Sequence, residues 1–304
     1  MDVSDFKWYK TKNGTENVKY ISELLFHSRI EPFYNDIKYK DAFSDKCYFN
    51  LLFKDVPVPY TICKNVNGTF TDDNFNLLNF NEVIELCRKE KEIIIKPSIN
   101  SSGGKGISFL SMEEESNSQE QLEATLKKYN KNFVVQRILT QQEELRKINS
   151  TSLNTVRTLS FLYKGKVSIL SSFLRMGING ARLDNLSSGG INVGIDENGA
   201  FNSVAYDKDG NKFSQHPSGY VFEGNKMPSY DKIKESVKKL HARFGHFGLI
   251  GWDIAVNENS EPVFVEFNLI DTDPQPHQLA NGPLFKELTD EVLDEVFGKK
   301  KRRG

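Results

Sequence analysis

Apolar and polar positions alternate most regularly between Gly251 and Asn268. Trp252, Ile254 and Val256 interleave with Gly251, Asp253 and Ala255, and Val263, Val265 and Phe267 interleave with Phe264, Glu266 and Asn268. A period of two marks a β-strand, and the polar stretch 258–261 between the runs reads as a hairpin turn. Pairing Asn257 with Pro262 sets Asp253 opposite Glu266, and residues opposite one another share a face of the sheet. One face then carries Trp252, Ile254, Val256, Val263, Val265 and Phe267, and the other gathers Asp253, Glu266 and Asn268. A slip of one residue would mix the two sets, so the pattern itself favours this register.

Elsewhere the spacing predicts a helix over 18–30, with Ile21, Leu24 and Leu25 on one stripe. A second runs over 81–90, with Val83, Ile84 and Leu86 inward and Asn81 as cap. Residues 92–97 form a β-branched strand stopped by Pro97, followed by a Ser/Gly loop, a short strand over 107–110, a helix over 119–129 and a strand over 133–136. Residues 156–163 and 166–174 pair across Lys164-Gly165, and 191–195 returns into 201–205. Ser229 caps a helix whose buried stripe is Ile233, Val237, Leu240 and Phe244, with Gly245 as its stop, and a last helix covers 284–297. This order is α+β, with helices packed on antiparallel sheets.

Composition narrows the class. A chain of 304 residues with 38% hydrophobic content can bury a sizeable core in one or two domains. The net charge of −1 excludes any global pull toward nucleic acid or an anionic membrane. The basic run 299–303 is the exception; it reads as a solvated tail, with a membrane-surface or oligomer contact as the alternative. Cys47, Cys63 and Cys87 are odd in number, lack metal-like spacing and read as buried thiols of a reducing compartment. The first ten residues carry no apolar signal region and no stretch approaches the length of a membrane span, so a soluble cytoplasmic protein is expected.

Several segments carry chemistry. Asp253, Glu266 and Asn268 offer hard oxygen ligands suited to Mg²⁺, although a wet face on an ordinary hairpin has the same composition. Lys96 closes an apolar strand five residues before Ser101-Ser102-Gly103-Gly104-Lys105-Gly106, whose small residues let backbone N–H groups approach an anion. No helix pattern begins where that loop ends, so it is not a GxxxxGK[ST] loop, and alone it reads as a flexible turn. The strand ending Val135-Gln136-Arg137-Ile138 can offer backbone to an adenine edge or be simply buried, and Glu143 and Glu144 follow at ribose distance or start a helix. Arg157 lies on a strand of apolar and hydroxyl residues and needs an anion or carboxylate partner, and Arg175 ends the next strand with the same ambiguity. His216, His241, His246 and His277 are scattered and read as surface or structural, with His277 the best placed to touch substrate.

The order of these pieces resembles the ATP-grasp superfamily over about residues 40–285. The Asp253, Glu266, Asn268 spacing is similar to the magnesium signature of its D-alanine–D-alanine ligase branch. Ser152-Leu153-Asn154-Thr155-Val156-Arg157, the run from Ser188-Gly189-Gly190 to Asp196, and Gly251-Trp252-Asp253-Ile254-Ala255 look closest to the sugar-transfer-associated group, which is tied to bacterial surface-polysaccharide biosynthesis. The resemblance implies an ATP-grasp fold of two α+β subdomains clamping ATP, behind a smaller N-terminal α/β domain. The implied boundaries are 1–90 for the N-terminal domain, 91–145 and 146–298 for the two subdomains, and 299–304 for the basic tail.

It further implies that Lys96 and the loop from Ser101 through Ser102, Gly103, Gly104 and Gly106 bind ATP phosphates. Val135, Gln136, Arg137 and Ile138 form the adenine hinge, Gln142 or Glu143 meets the ribose, and Asp253, Glu266 and Asn268 hold Mg²⁺. The family's earlier phosphate-binding lysine is Lys46 or Lys54. One position departs: the ligase branch carries an arginine two residues before the magnesium aspartate, and here Gly251 stands there, so Arg157 or Arg175 takes over or the chemistry differs.

The implied reaction is ATP-dependent carboxylate–amine ligation through an acyl phosphate, with an amino acid and a sugar-type compound as substrates and charge neutralisation by Mg²⁺, Lys96, Arg157 and Arg175. A kinase acting on a hydroxyl and a non-catalytic nucleotide-binding module are the rival readings. Residues up to Lys40 lie outside the resemblance and read as a substrate lid or a docked helical extension.

Overall fold

The alternation of the second half of the chain closes into one large antiparallel sheet, and the β-branched strands of the first half into another. A computed structural model describes residues 3–99, 102–113 and 118–298. They fall into two units, one drawn from 41–140 with 263–265, and the other made of 3–40, 141–262 and 266–298. Residues 3–40 and 41–90 thus fall in different units. No helix among the described residues is long and apolar enough to cross a membrane.

The smaller unit is built on strands β1 (Thr61–Val66), β2 (Thr69–Thr71), β3 (Leu77–Leu78), β4 (Glu92–Pro97), β5 (Ser108–Ser111) and β6 (Phe133–Arg137), in the order β3-β2-β1-β6-β4-β5. Helices Phe80–Cys87 and Ser118–Tyr129 cover one face, burying Val83, Ile84, Leu122 and Leu126 against Ile62, Ile93, Ile95, Phe133 and Val135. The first helix is capped by Asn79 rather than Asn81. Asn79 accepts from the Glu82 N–H and the Glu82 carboxylate accepts from the Asn79 N–H, a reciprocal pair that only the residue three before Glu82 can make.

The second sheet is made of β7 (Thr155–Tyr163), β8 (Lys166–Met176), β9 (Ile191–Ile195), β10 (Phe201–Tyr206), β11 (Lys212–Phe213), β12 (Leu249–Val256) and β13 (Pro262–Asn268), in the order β11-β10-β9-β8-β7-β12-β13, and all of it except 263–265 belongs to the larger unit. β8 runs past the expected end at 174, so Arg175 lies within the strand and pairs with Thr155. The β12–β13 turn closes one residue early, the Asn257 N–H donating to the Glu261 carbonyl at 3.0 Å. Trp252 nonetheless stacks on Phe267, with ring centroids 5.6 Å apart, as the expected register requires.

Three helices depart from the sequence pattern. The expected helix over 18–30 starts only at Glu23 and runs through a π-turn, Phe26–Ile30, into Glu31–Tyr34. Pro32 lacks an N–H for the preceding turn, and the wider π-turn accommodates it. Ile21 precedes the helix and is buried, Leu24 in its first turn is exposed, and Phe26 and Ile30 of the π-turn face the core. Ser229 precedes helix Tyr230–His241 but does not cap it; its hydroxyl donates to the Ser260 carbonyl, and the helix ends before Gly245. The last helix begins at Thr289, after a 3₁₀ turn Lys286–Leu288. The residues ahead of Lys40 are docked: Gln278 donates to the Tyr9 hydroxyl and the Ile21 carbonyl, which ties them to helix Pro274–Asn281.

Candidate active site

In the larger unit the strand register lines the candidate residues into two rows. Asp253, Arg157, Phe173 and Gly194 lie opposite one another across β12, β7, β8 and β9, and Thr155, Arg175 and Asn192 form the next row on the same face. Arg157 meets Asp253 with both Nε and Nη2, the latter at 3.0 Å from Oδ2, and Arg175 Nη2 approaches the same Oδ2 at 3.2 Å. Burial pushes the Asp253 carboxyl up, but the two guanidiniums outweigh it and hold its pKa below the usual carboxylate range. Arg175 also donates to the Thr155 hydroxyl at 2.7 Å and lies 3.5 Å from Asp184, whose carboxyl accepts the Thr155 N–H. For Asp184 burial wins over Arg175, and its pKa is raised.

Gly251 lies beside Arg157. A Cβ there would stand 3.6 Å from Asn268 Cβ and 3.7 Å from both Arg157 Cδ and Thr272 Cβ, ordinary van der Waals distances, so the aliphatic stem of Arg157 packs next to the glycine. Asn268 turns its amide toward the Gly251 carbonyl at 3.5 Å. Beyond it the chain is held by Glu31, which accepts the N–H groups of Asp271 and Thr272 and the Thr272 hydroxyl. Asp271 and Asp273 on either side of Thr272 adopt left-handed φ values of 53° and 50°.

Helix Pro274–Asn281 lies over the same face. At Gly194 a Cβ would collide with Asn202 Nδ2 and Asn281 Oδ1 and stand 2.9 Å from the Ala280 carbonyl, so the helix docks directly on the glycine. One turn earlier His277 packs its ring on Phe173, with centroids 4.6 Å apart. His277 is 0% exposed and Asn192 1%, and neither the imidazole nitrogens nor the amide atoms have a hydrogen-bond partner. Burial, then the charge of Arg157, pushes His277 well below the ordinary imidazole range.

His241 lies on the other side of the sheet and is structural. The Trp252 indole donates to Ser160 Oγ at 2.7 Å, Ser160 Oγ is 2.6 Å from His241 Nδ1, and Nε2 is 2.8 Å from the Phe247 carbonyl. A carbonyl only accepts, so Nε2 carries the proton and Nδ1 accepts from the serine. Burial lowers the His241 pKa to about 4.

In the smaller unit β4 faces its core with Ile93 and Ile95, which turns Lys96 to the other face, opposite Val134. Lys46 is buried, and its backbone N–H donates to the Ser98 carbonyl at 2.9 Å, two residues beyond Lys96; Lys54 is exposed. Val135 is in the core, and Gln136 donates to the Thr61 hydroxyl at 3.3 Å. Arg137 is exposed, paired with Glu90 at 2.7 Å and stacked over Tyr60, and Ile138 follows the strand half-buried. Gly103, Gly104 and Gly106 all adopt positive φ, which tight turns share with anion-binding loops; Ser101 lies outside the described residues, as does the basic run 299–304, and Ser102 opens a 3₁₀ turn.

In the larger unit Gln142 uses its side-chain oxygen to accept the Glu144 N–H at 2.7 Å and so caps helix Glu143–Ile148. Glu143 is exposed and paired with Arg146.

A profile of the sugar-transfer associated ATP-grasp family matches residues 25–293. The chain belongs to this family. A search of curated proteins returns no match. Among solved structures, biotin carboxylase of Campylobacter jejuni with β,γ-ATP aligns at a TM-score of 0.51 and 12% identity, over 83% of this chain and 46% of that one. An L-amino acid ligase of Bacillus licheniformis aligns at 0.48 and 11%, over 84% and 48%, and the VanG D-Ala:D-Ser ligase of Enterococcus faecalis at 0.46 and 14%, over 84% and 61%. The ATP-grasp chain thus spans about half the length of the first two.

Two residues of this ATP-grasp chain escaped the sequence pattern. Lys64 is 1% exposed on β1, in one row with Val134 and Lys96, and its ammonium meets Asn50, Asp73 and the ring of Phe75. Its signal was the same as that of Arg157, a cation inside an apolar strand. Asp184 sits in an irregular loop with no pattern to single it out.

Proposed function

We propose that this ATP-grasp chain is an ATP- and Mg²⁺-dependent carboxylate–amine ligase that works through an acyl phosphate, joining an amino acid and a sugar-type substrate in bacterial surface-polysaccharide biosynthesis. The observation that carries the reading is the guanidinium of Arg157 on Asp253, with its stem packed beside Gly251. Arg157 supplies a guanidinium to the patch that a residue-251 arginine would serve, from the neighbouring strand instead. On this reading Arg157 takes the part that the ligase branch gives to an arginine at that position.

Lys46, Lys96 and the 101–106 loop are assigned to the phosphates, with burial and the tie to Ser98 favouring Lys46 over the exposed Lys54. Val135, Gln136, Arg137 and Ile138 are assigned to the adenine edge. Glu143 is assigned to the ribose, because Gln142 spends its side-chain oxygen on the helix cap. Asp253, Glu266 and Asn268 present two carboxylates and an amide oxygen, a donor set that fits Mg²⁺, whose charge would neutralise phosphate oxygens.

In the reaction a substrate carboxylate oxygen bonds to the γ-phosphorus as the bond to ADP breaks. The amine nitrogen then bonds to the acyl carbon, phosphate leaves and the nitrogen loses a proton. Arg157 and Arg175 offset the charge that develops on the acyl phosphate, and the reaction needs no covalent nucleophile from the protein.

Hydroxylamine trapping tests this. With Mg-ATP and a panel of amino acids and uronic acids, the ligase gives a hydroxamate that Glu266→Gln abolishes. ADP released into a stable phosphoester without hydroxamate would make the protein a kinase, and nucleotide binding unchanged in Glu266→Gln with no turnover of any pair would make it a binding module.

A further inference from the structure

The large sheet has a gap along one of its inner strands. β9 covers β8 only from Ser172 to Met176, with Ile195 opposite Ser172, and the chain then turns away at Asp196 toward β10. Among the described residues nothing pairs with 166–171 along that edge, so the backbone groups of alternate residues over about 20 Å of strand face outward.

A cleft of about 950 Å³ lies where a longer β9 would have run, and its lining belongs entirely to the larger unit. Its walls come from the two layers that cover the sheet. Ser172 meets the Tyr230 hydroxyl of helix Tyr230–His241, and its neighbour Ser171 accepts from the Asn281 amide of helix Pro274–Asn281 at 2.9 Å. Successive strand residues point to opposite faces, so the two helices flank β8 from opposite sides. An extended chain laid beside β8 enters a slot already walled on both faces.

The slot is cationic. Lys166, Lys238 and Lys286 reach it from three different elements, and none of them has an ion-pair partner among the described residues. Lys234 is already engaged by Asp231 and the Glu197 carbonyl, and the Asp196 carboxylate by the N–H groups of Asn198 and Ala200. Glu197 is then the one uncommitted carboxylate of the lining against three ammonium groups. Lysines on an edge strand keep it from pairing at random. Two of these three stand on other elements, where they select the charge of an occupant.

We propose that this slot takes an acidic, extended segment of a partner protein as an added strand on β8. Main-chain bonds to the open edge supply affinity, and carboxylates at alternate positions meet the lysines. The chain's own basic run 299–303 carries the wrong charge to fill it. An anionic sugar matches the lysines but has no ladder of N–H and carbonyl groups to offer the edge. None of the residues assigned to the ligase reaction lines the cleft, so the inference stands apart from that reading.

The test uses the full chain and an acetylated, amidated hexapeptide of alternating glutamate and valine, followed by calorimetry and hydrogen exchange. The peptide should bind with a Kd below about 1 mM and slow amide exchange in 166–171. The same peptide N-methylated at every residue should bind roughly tenfold more weakly or worse, because it cannot donate to the edge. Lys238→Glu combined with Lys286→Glu should weaken the acidic peptide by a similar factor and admit the lysine–valine counterpart that the wild type refuses. Both lysines are exposed, so this variant should keep the wild-type urea midpoint.

No binding of the acidic peptide, equal binding of its N-methylated form, unchanged binding in the charge-reversed variant, or exchange slowed only outside 166–171 would each overturn the proposal. Trigalacturonate binding more tightly than the peptide would overturn it in favour of an anionic sugar.

Discussion

Glu31 accepts both the backbone N–H and the hydroxyl of Thr272, at 2.9 and 2.7 Å, so a residue of the docked N-terminal segment fixes the loop that follows Asn268. Glu31→Ala leaves two backbone N–H groups and a hydroxyl without their acceptor. The expected cost is about 3 kcal/mol, read as a lowered urea midpoint at pH 7. Glu31→Gln, which keeps one acceptor, should fall between Ala and wild type.

Arg157 and Asp253 form a buried pair, and removing Arg157 leaves the Asp253 carboxylate with Arg175 alone. Arg157→Ala should destabilise the larger unit by about 2 kcal/mol in urea titrations, the worth of a lost charged hydrogen bond. Arg157→Lys retains the charge but loses the two-point contact, so it should slow hydroxamate formation by roughly 10²-fold. A rate within a factor of two of wild type would remove Arg157 from the chemistry.

His241 makes stability pH-dependent, with a definite sign. Its folded pKa is about 4, below the ordinary imidazole value of 6.5. Between these values the unfolded chain takes up a proton that the folded chain refuses. Its contribution is therefore complete above pH 6.5 and falls away as pH drops toward 4. The loss attributable to this residue is about 3 kcal/mol. Urea titrations at pH 7 and 4.5 should show a shallower difference in His241→Gln than in wild type.

Gly194→Ala forces a methyl against Asn281 and the Ala280 carbonyl. Overpacking of this kind costs about 1–3 kcal/mol, and here it also lifts the helix that carries His277. The expected signature is a lower urea midpoint together with shifted His277 ring resonances in NMR spectra.

The hairpin was legible because its alternation leaves one register, and Asp253, Glu266 and Asn268 could be grouped on that basis alone. The partner of Arg157 was not legible: 96 residues separate it from Asp253, and only the order of β7 and β12 in the sheet brings them together. The cap at Asn79 was readable from Asn-x-x-Glu, but the apolar stripe drew attention to Asn81 instead. The π-turn before Pro32 was hidden, since a helical wheel assumes one period throughout. The contact of His277 with Phe173 was not legible either, as it depends on a helix docking onto a single glycine.

The left-handed backbones of Asp271 and Asp273 have a bearing on how this chain would respond to selection for heat resistance. Aspartate visits this conformation more readily than most residues, and the relief glycine would bring, on the order of 1 kcal/mol, is offset by the extra freedom it gives the unfolded chain. A thermal screen should therefore leave both aspartates in place, and the loop beside Asn268 keeps its shape at little cost.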